Sequence, residues 1–365
     1  MRIRRASSQR GIALMLVMLV VLALMVIAGS FAYSIKVETK LALNTQSEAE
    51  MEWLGRAGVE MARWILFMQK RIPKEAGYDS LNQFWAGGPG PVDELESAQN
   101  PFLGMSLKNI PCGPGSFSLE IVDEERKINV NTVPLPVLQR ALSMSGIDAM
   151  EAQMLNDAIQ DWRDRDDLPR MGGGAESSSY LDLNPPYEAK NGQIDDIREL
   201  LKIKGVTPEM YFGAPPPLPR GPRNRFAPPS QVVPLAKLFC AQGQRVNVNT
   251  APPEVLSVLF GVEPDRVRDT VIRARSGDDG ADGTPDDRPF RDPGVIMGLL
   301  GLTGAGGQSS PNPQVVPGVA GLLTAQSVTF EVRVDAQLGS ARRRFIALLR
   351  RTQSPEPITV YFRRE

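Results

Sequence analysis

The sequence predicts an α+β protein in which a long N-terminal transmembrane helix packs on an antiparallel sheet, with a large all-helical insertion interrupting that sheet. Three observations predict this fold class. An apolar run without any charged residue extends from residue 12 to residue 35. Segments that alternate apolar and polar residues, as strands do, occur before residue 126 and after residue 322. The residues between them have the three-to-four spacing of helices.

The apolar run is long enough to cross a bilayer, because a transmembrane helix needs about 20 residues. Four arginines precede the run, namely Arg2, Arg4, Arg5 and Arg10. Basic residues on this side predict that the N-terminus stays in the cytoplasm. We therefore expect a single pass, with the bulk of the chain on the far side of the membrane.

Three interpretations of the N-terminus remain open. A secretory signal peptide would be cut near Ala28-Gly29-Ser30, although the apolar run is long for such a signal. A signal anchor would not be cut. A type IV prepilin leader at residues 1–11 would be cut after Gly11, so that the mature chain would begin at Ile12 and its transmembrane helix would span residues 12–35.

Residues 36–126 are predicted to continue this helix and then to begin the sheet. Apolar residues keep the helical spacing as far as Met68, and Pro73 marks the end of the helix. The helix would be about 85 Å long at about 1.5 Å per residue, with its first half in lipid and its second half on a soluble domain. The alternating segment at residues 117–122 predicts the first strand.

A repeated segment centred on Asn-Val-Asn-Thr marks two helical modules. It occurs at residues 128–134 and again at residues 246–252, each time before a helical pattern and a glycine turn. Each copy is interpreted as a helix start in which the threonine caps the first turn and the proline is tolerated. The first module is predicted at residues 127–213, a proline-rich link at 214–236, and the second module at 237–300.

Residues 322–365 are predicted to complete the sheet. Alternating segments at 327–334 and 343–350 predict two strands joined by a turn at 336–340, and residues 358–362 predict a last short strand. Because strands flank the helical modules on both sides, we expect all of them to join one antiparallel sheet.

The composition excludes most catalytic chemistry, so we do not expect an enzyme. The chain of 365 residues contains no histidine, which removes the commonest general base and every Ser-His triad. Only two cysteines occur, which excludes a disulfide-rich framework and a Cys-x-x-Cys zinc site. The formal net charge of −1 provides no overall attraction to nucleic acid.

Two acidic clusters are candidates for a Ca²⁺ site, because calcium prefers several oxygen ligands. The candidate ligands of the first cluster are Asp161, Asp164, Asp166, Asp167 and Glu176, with a glycine-rich turn before the last. Those of the second cluster are Asp278, Asp279, Asp282 and Asp286. The alternatives are a solvated, charged helix end for the first cluster, with Asp161 capping or pairing locally, and an exposed flexible loop for the second.

Cys112 and Cys240 each stand shortly before one copy of the repeat. They would form a disulfide if they were close in space and the chain lay in an oxidising compartment. Two free, buried thiols are the alternative.

The repeated segments also resemble the opening of helix-hairpin-helix modules, which bind nucleic-acid phosphates through a glycine-rich hairpin. Here each hairpin keeps one glycine, Gly146 or Gly261, and an acid lies beside each, Asp148 or Glu263. Lysine and arginine are not concentrated there, and non-specific DNA binding depends on such residues. A packing motif that binds no nucleic acid is therefore favoured.

Taken together, these motifs resemble the K-type minor pseudopilins of type II secretion systems, the general secretion pathway protein K family, over nearly the whole chain. The resemblance rests on the Gly11-Ile12 leader, on a segment from Asp161-Trp162 through Glu176 and Tyr180 to Pro185-Pro186-Tyr187, and on residues 246–256. Most pseudopilins have glutamate as the fifth residue after the cut. That residue here is Leu16, and the lack of the glutamate is typical of the K type.

The resemblance implies a fold, a processing step and a set of partners. Prepilin peptidase would cut after Gly11 and methylate the amine of Ile12. The soluble part would be a pilin-like fold with a SAM-like, helix-hairpin-helix-like insertion that binds Ca²⁺. The protein would lie in the bacterial inner membrane, with its N-terminus cytoplasmic and its bulk periplasmic.

The resemblance also implies a function. The chain would cap the tip of the pseudopilus, above the major pseudopilin and together with minor pseudopilins I and J, and would support protein export across the outer membrane. The alternative is a membrane-anchored, DNA-binding subunit of a competence-type pilus.

Overall fold

A single unbroken helix, α1, extends over Arg10–Gln69. The structure is a computed structural model that describes residues 10–90, 100–213, 232–302 and 318–365, so most of the predicted leader and of the proline-rich link lies outside the described residues. Among the residues described, only the helix at 13–69 is long and apolar enough to cross a membrane. The apolar side chains of its first half are exposed, as contact with lipid requires. The predicted continuous helix is confirmed.

Nine strands follow in the described ranges. Numbered along the chain, they are β1 Ile110–Cys112, β2 Gly115–Asp123, β3 Ile128–Asn129, β4 Phe239–Cys240, β5 Val246–Asn247, β6 Leu323–Thr324, β7 Thr329–Leu338, β8 Ala341–Arg350 and β9 Ile358–Arg364. Five of them form one antiparallel sheet in the order β1-β2-β7-β8-β9. The strand before the insertion thus lies beside the strand after it, with Asp123 opposite Phe330. The predicted antiparallel sheet is confirmed.

The predicted turn at 336–340 is too long. β7 continues to Leu338 and β8 begins at Ala341, so only Gly339 and Ser340 form the turn. Gly339 has a φ of +58°, a conformation that suits glycine in a two-residue hairpin turn.

Two glycines allow α1 to lie directly on the sheet. A Cβ atom on Gly55 would lie 2.6 Å from Cδ2 of Phe345, and one on Gly58 would lie 2.5 Å from Cγ1 of Val334. Non-bonded carbon atoms pack at about 3.5–4.0 Å, so a larger residue at either position would push the helix away. The apolar face of residues 51–66 is buried against the sheet and forms the first hydrophobic core.

The insertion lies between β2 and β7 and has a second hydrophobic core of its own. Its helices are α2 Leu135–Met144, α3 Ala149–Arg163, α4 Ser177–Tyr180, α5 Pro208–Phe212, α6 Leu235–Leu238, α7 Pro253–Phe260, α8 Pro264–Val267, α9 Arg273–Arg275 and α10 Val295–Leu299, with a π-helix at Arg268–Ile272. Short 3-10 helices occur at Phe84–Ala86, Glu124–Arg126, Ile197–Lys202 and Val319–Leu322.

The prediction that the insertion is all-helical is wrong in one respect. β3 pairs in parallel with β4, and β5 pairs in parallel with β6. Each pair joins one copy of the repeat to a distant segment of the chain. Strands of two residues have no alternation that a sequence pattern could reveal.

The helix starts after the repeats also differ from the prediction. Pro134 and Pro252 are the N-cap residues of α2 and α7, and neither helix has a side-chain cap. Thr250 instead donates a hydrogen bond of 2.5 Å to Oδ2 of Asp123. The threonine of the second copy therefore holds the insertion on the sheet.

A buried junction attaches the insertion to the sheet. Oδ2 of Asp123, at the end of β2, accepts hydrogen bonds from Ser327 Oγ at 2.6 Å and from Asn247 Nδ2 at 3.2 Å, in addition to Thr250. Asn247 Nδ2 also lies 3.0 Å from the carbonyl oxygen of Asp79. All five residues are buried. The junction therefore joins both ends of the insertion to its second repeat copy.

Asp79 carries the charged part of the junction. Its carboxylate accepts hydrogen bonds from Arg351 Nη1 at 2.8 Å and from Lys70 Nζ at 3.1 Å. Burial would raise the pKa of Asp79, but Arg351 and Lys70 hold it below its usual value. Because Lys70 directly follows α1, the insertion lies at the end of α1 that is opposite to the apolar segment.

Replacement of Gly58 by alanine should lower the free energy of unfolding by about 1–3 kcal/mol, because the new Cβ would overlap Val334 in a filled core. Gly298→Ala is the matched control, since Gly298 is also helical but a Cβ there meets no atom within 4 Å. The control should be neutral or slightly stabilising, because alanine favours helix over glycine. Denaturant unfolding of the full-length protein in detergent measures both changes. Wild-type stability of Gly58→Ala would contradict the close packing of α1 on the sheet.

Candidate metal centre

Three carboxylates meet in the first helical module. Asp161 lies in the last turn of α3, Asp164 directly follows this helix, and Glu176 is the N-cap residue of α4. One carboxylate oxygen from each residue lies within 4.8 Å of the others. Residues 165–175 form the loop that returns the chain from α3 to α4.

The returning chain passes α3 at a distance that only glycine allows. A Cβ atom on Gly174 would overlap Oδ2 of Asp161, and one on Gly172 would overlap Oδ2 of Asp157. The backbone N–H of Arg170 donates a hydrogen bond of 3.1 Å to Asp161 Oδ2. The glycine-rich turn thus packs on the helix and brings Glu176 to the other two carboxylates.

Several oxygen atoms of this group are buried without a hydrogen-bond donor. Asp161 is 0% exposed and Glu176 is 2% exposed. Among the described residues, none donates a hydrogen bond to Oδ1 of Asp161, to Oδ1 of Asp164 or to either carboxylate oxygen of Glu176. Buried carboxylates without compensation are costly, so the arrangement favours a bound cation.

One arginine compensates for part of this negative charge. Arg170 Nε lies 3.2 Å from Oδ1 of Asp161, an ion pair without hydrogen-bond geometry, and Nη2 lies 2.9 Å from Oδ2 of Asp164. Burial, together with repulsion from Asp161 and Asp164, raises the pKa of Glu176 to about 7. A divalent cation would remove this repulsion. Three carboxylates form the oxygen donor set that Ca²⁺ prefers, so the residues fit a calcium ion.

The structure brings together three of the five predicted ligands of the first cluster. Asp166 Oδ1 instead accepts the backbone N–H of Leu168 at 3.0 Å, and Asp167 Oδ1 accepts Nδ2 of Asn191 at 2.9 Å. Asp161 belongs to the group, and it also pairs locally, because it accepts the backbone N–H of Arg170 and forms an ion pair with the side chain of that residue. Sequence reasoning missed Arg170, whose position in the loop follows no ligand-spacing pattern.

The acids of the second cluster do not converge in the part of the chain that the structure describes. Asp282 pairs with the buried Arg275, whose Nη2 lies 2.6 Å from Oδ2. Asp278 pairs with Arg288 at 2.8 Å. The other two acids, Asp279 and Asp286, accept hydrogen bonds from backbone N–H groups of the same loop. This arrangement is that of an ordered acidic turn, and it adds no support to the prediction of calcium in this loop.

An arginine clamps each copy of the repeat. Arg163 donates hydrogen bonds to the carbonyl oxygens of Val130 at 2.8 Å and Asn131 at 2.6 Å. Arg275 donates to the carbonyl oxygens of Val248 at 2.7 Å and Ala251 at 2.8 Å. Both arginines lie at the end of the helix that precedes an acidic loop, so each clamp fixes the start of that loop.

The second asparagine of each copy pairs with a distant backbone segment. Asn131 Oδ1 accepts the N–H of Ile194, and its Nδ2 donates to the carbonyl of the same residue, both at 2.9 Å. Asn249 makes the same pair of bonds with Phe290, both at 2.8 Å. The repeat therefore works as a packing device, as the sequence favoured.

The first hairpin of the repeat is already covered by protein. A Cβ atom on Gly146 would lie 3.0 Å from Cγ2 of Val232, and Ser145 Oγ donates to the carbonyl oxygen of Val233 at 2.8 Å. A hairpin that binds phosphate must expose its backbone N–H groups, so this contact disfavours a nucleic-acid interface here.

The two cysteines are free thiols and do not pair in the structure. Cys112 packs against the first core at the edge of the sheet. Cys240 is fully buried in β4, where its Sγ lies 3.8 Å from the carbonyl oxygen of Lys127. Burial raises the pKa of the Cys240 thiol, which keeps it protonated and unreactive. The structure therefore favours two free thiols over the disulfide. The sequence could not decide between them, because pairing depends on the distance between two residues that are far apart in the chain.

The long apolar helix, the antiparallel sheet and the inserted module with its acidic loop define an α+β protein with a helix long and apolar enough to cross a membrane. A family model described as "Type II secretion system (T2SS), protein K" matches residues 115–216, which include β2, α2, α3 and the carboxylate group. The match thus covers the part of the chain that carries the candidate metal centre.

More particularly, the chain is similar to type II secretion system protein K. It is 25% identical to the protein of that name from Aeromonas hydrophila, over 92% of this chain and 91% of the relative. It is 26% identical to the Pseudomonas aeruginosa protein, over 74% of each chain. The resemblance that the motifs indicate is confirmed.

A solved structure shares the fold. The likeness is to a chain in the crystal structure of the GspK-GspI-GspJ complex from the enterotoxigenic Escherichia coli type 2 secretion system, with a TM-score of 0.61 and 17% sequence identity. It covers 88% of this chain and 98% of that chain. At this identity the likeness establishes the architecture.

Substitution of Arg275 by methionine should lower the free energy of unfolding by about 3–5 kcal/mol, because it leaves Asp282 and two carbonyl oxygens without their buried cation. Arg273→Met is the matched control two residues away, since Arg273 is exposed and pairs only loosely with Asp269 at 3.6 Å. That change should cost less than about 1 kcal/mol. Equilibrium unfolding in detergent compares the two variants. Equal decreases in the free energy of unfolding would contradict the structural role of the Arg275 contacts.

Proposed function

We propose that this chain is a minor pseudopilin that caps the tip of the type II secretion pseudopilus and thereby supports protein export across the outer membrane. The role of the chain would be structural. The chain would be processed at its N-terminus, anchored in the membrane, ordered by a bound cation and assembled with partner subunits.

The observation that carries this proposal is the position of the insertion. The insertion is held by the Asp79 and Asp123 junction at the end of α1 that is remote from the apolar segment. In a filament built from parallel helices, a bulky module at this end would block the place of the next subunit. A subunit with such a module would suit the tip and no other position.

The proposal includes the membrane topology and the processing step. The arginines before the apolar run favour a cytoplasmic N-terminus, an inner-membrane anchor and a periplasmic bulk. Gly11 would be the last residue of the leader removed by prepilin peptidase, and Ile12 would be the methylated N-terminus. Leu16 is apolar at the position where most pseudopilins have glutamate. An apolar residue at this position suits a subunit that has no other subunit above it in the filament.

Minor pseudopilins I and J are the proposed partners, since the related solved structure is that of a GspK-GspI-GspJ complex; the major pseudopilin would lie beneath them. Trp53 on α1 is 71% exposed. An exposed tryptophan on a helix that leads to the anchor is a candidate contact, because tryptophan is enriched among residues that dominate binding energy.

The tagged full-length chain, co-expressed with the I and J pseudopilins of its own secretion system, should co-purify with both. Trp53→Ala should reduce their recovery by about tenfold, the effect of losing one dominant aromatic contact. Phe212→Ala is the control, because Phe212 is similarly exposed, at 65%, but lies on the insertion. Purification of the wild-type chain without either partner would contradict the tip assembly.

We propose further that Asp161, Asp164 and Glu176 hold a calcium ion. The bound ion would supply positive charge to the buried carboxylate oxygens that accept no hydrogen bond. The chain's own residues do the rest: Arg163 fixes the end of α3, and the glycine-rich turn brings Glu176 into place. Loss of the ion would leave three carboxylates in mutual repulsion, so the loop of residues 165–175 would lose order first.

Calcium at about 100 times its Kd should raise the free energy of unfolding of the full-length protein by about 2.7 kcal/mol. Its Tm should rise accordingly. Asp161→Asn and Glu176→Gln should abolish most of this shift, because each removes a charged ligand. Asp279→Asn, in the second acidic loop, is the control and should keep it. Calorimetry in detergent provides the measurement. A calcium-induced increase in Tm of wild-type size in Asp161→Asn, or the absence of this increase in Asp279→Asn, would contradict the assignment of the site.

A further inference from the structure

A cleft of about 1050 Å³ lies between the sheet and the two modules of the insertion. Its walls include Val122 of β2, Arg333 of β7, Met144 at the end of α2 and Pro264 at the start of α8. Val122 and Met144 are only partly buried. Ligand pockets have volumes of about 300–1,000 Å³ and combine apolar walls with a few polar groups. The cleft is therefore large enough for a small organic molecule.

One arginine of this cleft has no partner for its charge. Arg140 lines the cleft from α2, and its Nε donates a long hydrogen bond of 3.4 Å to the carbonyl oxygen of Pro136. Both terminal nitrogens, Nη1 and Nη2, are buried, and neither donates a hydrogen bond to any residue that the structure describes. By contrast, Arg163 and Arg275 use both terminal nitrogens to bind carbonyl or carboxylate oxygens. The charged end of Arg140 thus lacks the acceptors that the other two arginines have.

An unpaired, buried guanidinium lowers stability unless a ligand compensates for it. Arginine stays protonated in proteins, so it cannot lose its charge to avoid the cost of burial. Burial lowers the pKa of Arg140, and no carboxylate of the described chain opposes this change. Buried donors without acceptors are costly. Local conflicts of this kind are expected at functional sites.

Three acids of the cleft are already paired. Glu120 lies 3.3 Å from Arg333, while Glu254 and Asp265 lie 3.8 Å and 2.7 Å from Arg268. Both of these arginines also line the cleft. The three carboxylates are therefore engaged, and none of them compensates for the unpaired guanidinium.

The remaining charges of the cleft are mostly positive. Arg126 and Lys237 line it without an ion pair to any described residue, and Lys127 is offset by the neighbouring Glu124. Among the described acids that line the cleft, only Glu263 has no ion pair, and it is exposed. Together with the unpaired guanidinium, the free cations outweigh this single acid. A cleft with such an excess of positive charge attracts anions.

We propose that the cleft binds a small organic oxyanion, a carboxylate or a phosphate ester with an apolar body, whose charged group is held by Arg140. The planar guanidinium presents parallel N–H groups that match either anion in a bidentate pair. Because an arginine side chain has wide rotamer freedom, rotation brings its terminal nitrogens from the wall into the cleft. Arg126 and Lys237 would add positive charge, and Val122 and Met144 would contact the apolar body. The site does not depend on the position of the chain in a filament.

The test uses the full-length protein in a non-ionic detergent and fluorine NMR of two anionic probes, para-fluorobenzoate and para-fluorophenyl phosphate. We expect at least one probe to show saturable line broadening that the same compound without fluorine reverses. The probe with the lower Kd identifies the preferred anion as a carboxylate or a phosphate ester. The neutral para-fluorobenzyl alcohol should show only the broadening that detergent micelles cause without protein.

Arg140→Met should raise the Kd of the bound probe by about tenfold or more, because it removes the charge-assisted hydrogen bonds. Arg273→Met is the matched control, since Arg273 is exposed and does not line the cleft; it should leave the Kd unchanged. Without a probe, Arg140→Met should unfold at the same denaturant concentration as the wild type or at a higher one. The reason is that the substitution replaces an unpaired, buried cation by an apolar side chain.

The stability of Arg140→Met separates a ligand site from a structural role. If Arg140 served only the fold, its replacement would lower the denaturant concentration at which the protein unfolds, and the proposal would fail. The proposal would also fail if neither anionic probe bound saturably, if the neutral alcohol bound as tightly as the anions, or if Arg140→Met bound the probe with the wild-type Kd.

Discussion

The architecture depends on a buried polar junction between the sheet and the insertion. Two carboxylates, Asp79 and Asp123, lie within the protein at the point where β2 ends and β7 begins. A buried carboxylate is tolerated only when donors or cations surround it, and here Asn247, Ser327 and Arg351 supply them. Since Asn247 belongs to the second repeat copy, the same bonds that satisfy the carboxylates also orient the insertion. The candidate metal centre is placed relative to α1 through this junction.

The two repeat copies share a backbone frame but neutralise their acidic loops in different ways. In both copies an asparagine pairs with a distant backbone segment and an arginine binds carbonyl oxygens of the repeat. In the second copy Arg275, at the end of α9, also pairs with Asp282, so the arginine that binds the repeat neutralises an acid of the loop as well. In the first copy Arg163 binds only the backbone, and Glu176 meets no cation among the described residues. This difference explains why one acidic loop is a candidate for an external ion and the other is not.

The sequence reveals those parts of the structure that have a periodic or compositional signature. The helical spacing predicts α1 almost to its last residue, and alternation predicts β2, β7 and β8. The carboxylates of the first cluster are recognisable because they are close in sequence, but Asp166 and Asp167 cannot be separated from Asp164 on spacing alone. Which of them faces Glu176 depends on the glycine-rich return of the chain and on competition from Leu168 and Asn191.

Long-range contacts leave no such signature. Asn247 and Asp123 are 124 residues apart, and two-residue parallel strands cannot be told from loops by any pattern. The threonine of the repeat suggests a local cap, because local hydrogen bonds are the only ones that a sequence pattern can indicate. In the structure its partner is Asp123, on a strand that the sequence shows only as a separate segment. The free state of Cys112 and Cys240 likewise follows only from their positions in the fold.

The central claim is that the chain is a processed pseudopilin, and the most direct test is the intact mass and N-terminal residue of the protein isolated from membranes that contain a prepilin peptidase. The account predicts a chain that begins at N-methylated Ile12 and retains the whole apolar helix. A chain that begins at Met1 would show an ordinary signal anchor. A chain that begins between Ala28 and Ala32 would show a secreted protein without an anchor, and either result would contradict the account.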